Sequence, residues 1–278
     1  MTMNVSSISG NKTILTIQSG VIYGAVGNDA AMAVYDHFGL SAFRLDTVRL
    51  AAHPGFGKMY AAVTPAETID KLLENFSQLE AAKTLGFIQT GYLGHADQVP
   101  ILARHITQMK ADNPSLEYCL DPVMGDGGKL YVDTALSAAL SSELLPLAQH
   151  LTPNLFELEM LADTRIKTKQ EVIAAARHLK SSHRLSSIIV TAIPEDEMMT
   201  DIIISDEGLA EHCHKRELSG ISGGGDMYTA YYLSARLSGH SAHQSSYLAS
   251  EAVTQCAHLS DDRRALPVKD WLRHHKQP

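Results

Sequence analysis

The chain has 278 residues, 45% of them hydrophobic and 19% charged, with a formal net charge of −8. That balance supplies a sizeable core and argues against disorder and a membrane-spanning helix, and the absence of a Lys/Arg cluster argues against a nucleic-acid surface. Three cysteines, Cys119, Cys213 and Cys256, stand far apart without C-x-x-C spacing, so neither a disulfide framework nor a zinc site is indicated and a reducing cytoplasm fits.

Residues 1–12 lack the basic and apolar regions of a signal peptide and are expected to be a disordered lead into a first strand, TILTIQS at 13–19. TPAE at 64–67 reads as a capping box with Pro65 at the first helical position, backed by Ile69, Leu72, Leu73, Phe76 and Leu79 on one face. Further strands are expected at 87–90 (FIQT), 118–122 (YCLDP), 150–154 (HLTPN) and 187–192 (SIIVTA). TKQE at 168–171 repeats the capping box, with Val172, Ile173, Ala176 and Leu179 behind it. Residues 200–214 read as an antiparallel hairpin turning at Asp206-Glu207-Gly208. On its second arm, strand alternation turns His212 and His214 one way and Cys213 the other, against a shared metal site. DMYTAYYLSARL, from Asp226, is the last major helix, with Gly239 as its C-cap and Tyr228, Tyr231 and Tyr232 as core or dimer contacts. The tail LRHHKQP reads as a solvated end. Strands separated by helices imply βαβ units: one α/β domain spanning 1–278, with a mainly parallel sheet covered on both faces.

Each apolar run ends in a small polar or acidic residue: Ser19, Thr90, Asp121, Asn154 and Thr191. In open α/β sheets ligands bind at the carboxyl ends of strands, so these five would share one rim. Gly223-Gly224-Gly225 precedes Asp226 at a helix start, where converging N–H groups and the helix dipole favour an anion. The dipole is expected to keep the Asp226 carboxylate ionised, a weak base by pKa, which suffices for a loose phosphoryl-transfer transition state. Other phosphate motifs are absent: Gly57-Lys58 and Gly128-Lys129 have Ala52 and Val123 where a P-loop needs glycine, and Gly24 and Gly27 do not fit a Rossmann fingerprint.

A G-x-G-D turn near the end of an α/β chain resembles the ribokinase-like superfamily of small-molecule kinases. Within it, IQSGVIYGAVGNDAA (17–31), TGYLG (90–94), DPVMGDGGKLYV (121–132) and LTPNLFELEML (151–161) resemble the pyridoxal kinases. The resemblance implies a homodimer that moves the γ-phosphate of ATP onto the 5′-hydroxymethyl of pyridoxal-type vitamers, using Mg²⁺ and often a monovalent cation such as K⁺. It implies Asp226 as the catalytic base and Gly223, Gly224 and Gly225 as the anion hole. It also places Asp121, Asn154 and Glu157 around Mg²⁺ and phosphate, with Asp121 and Glu157 as metal ligands. Asp126, Tyr131 and Thr191 fall on the nucleotide side, and Ser19, His53, Pro54 and Tyr92 around the ring.

Hard oxygen donors at strand ends suit Mg²⁺, which keeps water and phosphate oxygens as its other ligands. Glu157 and Glu159 cannot both point inward from one helix start, and Glu157, three residues after Asn154, is the inward choice. The chain departs from the family at Gly20 (usually His), Pro54 (usually a hydroxyl residue), Ala192 (often Ser) and Gly224 (usually Thr or Ala), which bears on vitamer preference and turnover. A hydroxymethylpyrimidine kinase and a non-catalytic vitamer- or nucleotide-binding protein are the alternatives.

Overall fold

The computed structural model describes residues 13–57, 60–215, 222–259 and 265–275; the lead over 1–12 and the end of the tail lie outside the described residues. In chain order the elements are β1 (Thr13–Tyr23), α1 (Asn28–His37), β2 (Ser41–Ala52), β3 (Ala61–Val63), α2 (Ala66–Ser77), α3 (Glu80–Lys83), β4 (Leu85–Thr90) and α4 (Gln98–Asp112). Then come β5 (Glu117–Leu120), β6 (Gly125–Asp126), β7 (Lys129–Leu130), α5 (Thr134–Ala139), β8 (His150–Leu151), α6 (Leu155–Leu161) and α7 (Lys169–His183). β9 (Ser187–Glu195), β10 (Met198–Ser205), β11 (Gly208–Lys215), α8 (Gly224–Leu237), α9 (Ala242–His258) and α10 (Val268–His274) complete the described chain.

The main sheet has the order β11-β10-β9-β8-β5-β4-β1-β2-β3. The six strands from β9 to β2 are parallel, while β3, β10 and β11 add antiparallel edges. Period-two alternation feeds two cores. Leu15, Ile17, Ile88, Tyr118, Ile188 and Ile202 pack under α2, α4 and α7, whereas Ile14, Phe87, Cys119, Ile189 and Ile203 pack under α1, α8, α9 and α10. Full burial of each such aliphatic side chain contributes roughly 1.5–3 kcal/mol. The chain runs from β1 outward to β2 and then returns to β4 on the other side of β1, so the strand order reverses between β1 and β4. That reversal opens a crevice at their carboxyl ends.

The expected strands are all present, with shifted ends. β1 runs on to Tyr23, β9 to Glu195, and β8 is only His150–Leu151. The hairpin turns where expected: Ser205 pairs with Gly208, and Gly208 sits at φ 111°. The TKQE box forms, Thr168 capping α7 with Glu171. The TPAE box does not. Pro65 is the N-cap of α2 rather than its first helical residue, because the Thr64 hydroxyl donates instead to the Asp46 carbonyl at 2.7 Å. Tyr228, Tyr231 and Tyr232 are core residues, all under 5% exposed. Gly239 takes a left-handed φ of 95° one residue beyond the C-cap of α8.

Candidate functional site

Gly223 is the N-cap of α8 in the left-handed region, φ 96°, and a Cβ there would lie 2.4 Å from the Ala25 carbonyl oxygen. Only glycine fits that approach, which seats the turn against the β1–α1 connection. Gly224 has room, with only Val253 at 3.8 Å from where its Cβ would be, and Gly225 faces Asp121, whose Oδ2 lies 3.9 Å from the same construction. The first amides of α8 lack intrahelical acceptors, as at any helix start, and open toward the crevice side.

Three carboxylates converge here. Asp121, at the carboxyl end of β5, is 4% exposed and accepts a hydrogen bond from Thr229, one turn after Asp226 on α8, at 3.4 Å. Burial pushes its carboxyl well above the ordinary range, and the neighbouring Glu157 and Asp226 charges push it further. Glu157 is 3% exposed, and burial raises it to about 8 against the pull of its backbone donors. Asp226 is also raised, by burial first, with the Gly27 amide hydrogen-bonded to it acting the other way. Burial thus moves the Asp226 carboxyl upward, opposite in direction to the effect expected of the helix dipole.

Glu157 has a second task. It completes a capping box with Asn154 at the start of α6: its Oε2 accepts from the Asn154 amide at 2.9 Å, and its amide donates to Asn154 Oδ1 at 2.9 Å. Its Oε1 accepts from the Met124 amide at 3.0 Å, and Asn154 Nδ2 donates to the Gly125 carbonyl at 2.8 Å. The DPVMGD segment is thereby tied to α6. Asp126 ends β6 and Tyr131 directly follows β7, both exposed; Asp126 and Glu157 both raise the Tyr131 phenol, after burial. Thr191 bridges to Asn154 across the ends of β8 and β9.

The other predicted positions surround the crevice less tightly. Ser19 is 4% exposed in β1 beside Gly27, whose missing Cβ would stand 2.4 Å from Ser19 Oγ. The side-chain space of Gly20 is filled: a Cβ there would meet the Arg44 guanidinium at 2.5 Å and the Asp46 carboxylate at 2.7 Å. Thr47 fixes Tyr92 by donating to its carbonyl at 2.7 Å, and burial raises the Tyr92 phenol. His53 packs edge-on against Phe56, ring centres 4.8 Å apart; Pro54 begins the short turn after it, and its side chain lies outside the described residues. Sequence reading missed Asn28, fully buried at the start of α1, whose Nδ2 donates to Asp46 Oδ1 at 2.7 Å and to the Gln18 and Leu45 carbonyls, holding the β1 crevice edge to β2. The GN pair of the first quoted motif was its signal. Thr229, three residues after Asp226, was legible by helical spacing alone. Among the described residues no group of three or more His, Cys, Asp or Glu is arranged to hold a metal on protein ligands alone.

A mostly parallel sheet with a glycine-led helix and carboxylates gathered at its strand ends is the ribokinase-like fold. The chain belongs to the phosphomethylpyrimidine kinase family, whose profile matches residues 58–268. A pyridoxine/pyridoxal/pyridoxamine kinase of Bordetella bronchiseptica is 34% identical over 265 residues, spanning 93% of this chain and 88% of the relative. The crystal structure of pyridoxal kinase from Entamoeba histolytica superposes with a TM-score of 0.90 at 22% identity, over 96% of this chain and 95% of that one. The pyridoxal kinase of Leishmania donovani in complex with ADP and pyridoxine gives 0.86 at 22% identity, over 95% and 96%.

Proposed function

We infer that the chain is an ATP-dependent vitamin B6 kinase, transferring the γ-phosphate of ATP to the 5′-hydroxymethyl group of pyridoxal to give pyridoxal 5′-phosphate. The observation that carries this reading is the placement of a half-buried Asp226 in the first turn of α8, directly after the Gly223–Gly225 turn and beside Asp121. The family membership and the vitamer kinases among its relatives support the substrate class.

In this reading the amides of Gly223, Gly224 and Gly225 receive the developing charge of the transferring phosphoryl group. Asp226 accepts the alcohol proton as its oxygen bonds to the γ-phosphorus and the bond to the β–γ bridging oxygen breaks, leaving ADP. Asp126, Tyr131, Asn154 and Thr191 line the nucleotide side, while Ser19, His53, Pro54 and Tyr92 line the vitamer side. The donor set fits Mg²⁺: Asp121 and Glu157 are buried hard-oxygen donors, raised chiefly by burial, and would hold a divalent cation that offsets the cost of burying their charge. Bound there with nucleotide, Mg²⁺ neutralises phosphate charge. A K⁺ ion, a cytoplasmic location and a homodimer belong to the same proposal; Ile22, Tyr23 and Tyr60, each more than 60% exposed, are apolar side chains open to a dimer contact. No described helix is long and apolar enough to cross a membrane.

A second acceptor, a hydroxymethylpyrimidine, is favoured by one finding, the description of the matching family as phosphomethylpyrimidine kinase. Incubating the protein with Mg-ATP and, separately, pyridoxal, pyridoxine, pyridoxamine and hydroxymethylpyrimidine, with mass identification of product, decides the matter. Phosphorylated pyridoxal at the highest kcat/KM supports the reading. Phosphorylation of the pyrimidine alone replaces it with the second acceptor, and nucleotide binding without any product reduces the chain to a binding protein.

A further inference from the structure

Ala192 is one of the described non-glycine residues with a left-handed backbone, φ 55°. It lies where β9 passes the crevice rim. Val190 pairs with Ile202 and Ile193 with Thr200, so Thr191 and Ala192 together face a single residue of β10, Asp201. Two residues opposite one make a β-bulge, a device that re-aims a side chain and is common beside active sites. Its left-handed position is ordinarily glycine. Here an alanine holds it, and a neighbouring carboxylate supplies what the backbone preference withholds.

That carboxylate is Asp201, 3% exposed. Its Oδ1 accepts from the Ala192 amide at 2.8 Å, and its Oδ2 accepts from Ser250 Oγ on α9 at 2.7 Å. His214 on β11 approaches Oδ2 at 3.6 Å. Three elements thus fix the carboxylate, and the carboxylate fixes the bulge. On the other side, the Thr191 amide donates to the Pro153 carbonyl at 3.0 Å, and Thr191 bridges to Asn154, the cap of α6.

We propose that Asp201 is a positioning residue of the nucleotide side: by pinning the Ala192 amide it holds the β9 bulge and sets Thr191 at the crevice rim. This rests on the reading of Thr191 as a nucleotide contact; among the described residues the hydrogen bonds of the carboxylate go to Ala192 and Ser250, not to Ser19 or Tyr92 on the vitamer side. Its signature is therefore a nucleotide effect without a vitamer effect. A purely structural role would weaken both together or neither.

Calorimetric titration with Mg-ADP tests it without requiring any acceptor. D201A is expected to weaken Mg-ADP about tenfold, the scale of one lost hydrogen bond to a buried carboxylate, while leaving KM for pyridoxal within about twofold. D201N, which keeps an acceptor oxygen for the Ala192 amide, is expected to stay within about threefold of the parent. Adding A192G to D201A, which lets the bulge form without the carboxylate, is expected to recover most of the loss. Ala192 is exposed, so A192V, with Asp201 intact, decides the matter even where D201A fails to fold: a β-branched residue resists the left-handed turn and is expected to weaken Mg-ADP about tenfold. Equal Mg-ADP affinity in the parent and A192V overturns the assignment, as does a proportionate loss of pyridoxal affinity. A parent chain that binds no Mg-ADP overturns the functional reading along with it.

Discussion

Removing divalent cations and raising the pH should destabilise this protein, and Glu157 gives the size of the effect. Buried and 3% exposed, it has a carboxyl raised from an ordinary 4.5 to about 8. Between those values the folded chain holds a proton that the unfolded chain has released. The stability this confers is therefore complete below about pH 4.5 and drains away as the pH climbs through about 8. At about 1.4 kcal/mol per unit, the shift corresponds to roughly 3–5 kcal/mol. A chain of this size moves about 2–4 °C in Tm per kcal/mol, so the midpoint should fall by roughly 6–15 °C from pH 5 to pH 8. Asp121 and Asp226 are raised in the same direction and add to the slope. Differential scanning calorimetry in EDTA across this window, on the parent and on E157Q, measures it. E157Q has nothing to titrate at this position and should lose at least half of the slope. A parent midpoint that is level or rising from pH 5 to pH 8, or an undiminished slope in E157Q, refutes the reasoning.

Asp226→Ala should lower kcat by about two orders of magnitude or more, the usual loss for a positioned base, while Mg-ADP still binds; near-parental turnover would remove its role. Gly223→Ala places a Cβ 2.4 Å from the Ala25 carbonyl at φ 96°, so both the anion turn and Mg-ADP affinity should suffer, measured by calorimetry against Gly224→Ala as the roomy neighbour. Gly224→Ala itself should stabilise by about 0.5–1 kcal/mol, because alanine loses less backbone entropy in a helix, and denaturant unfolding would register the gain. Thr168→Ala, removing the cap of α7 far from the crevice, should cost about 1 kcal/mol in the same unfolding experiment and leave KM for both substrates unmoved.

The parts of the fold that could be read directly were those whose signal is local. β4, β5 and β9 are buried apolar runs, the TKQE box needs only its own four residues, and the hairpin turn carries its glycine at position 208. β2 escaped because its apolar residues are interrupted by Arg44, Asp46 and Arg49, charges that find one another only in the folded state. β3 is only the three residues Ala61–Val63, exposed along its length and too short to show a strand period. The TPAE box failed for a tertiary reason, since the Asp46 carbonyl, remote in sequence, takes the Thr64 hydroxyl. At the site, Asp226 and the glycine turn were visible from sequence. The raised carboxyl of Asp226 was not, because burial by the surrounding elements has no local trace. Glu157 rather than Glu159 is the buried carboxylate, and its capping box with Asn154 is the physical basis of the spacing that singled it out.

A crystal structure of the protein with Mg²⁺, a non-hydrolysable ATP analogue and pyridoxal tests the central claim most directly. The account predicts the terminal phosphate within hydrogen-bond distance of the Gly223–Gly225 amides, with the 5′-hydroxyl between it and the Asp226 carboxylate. A terminal phosphate seated elsewhere, or a vitamer hydroxyl out of reach of Asp226, would contradict it.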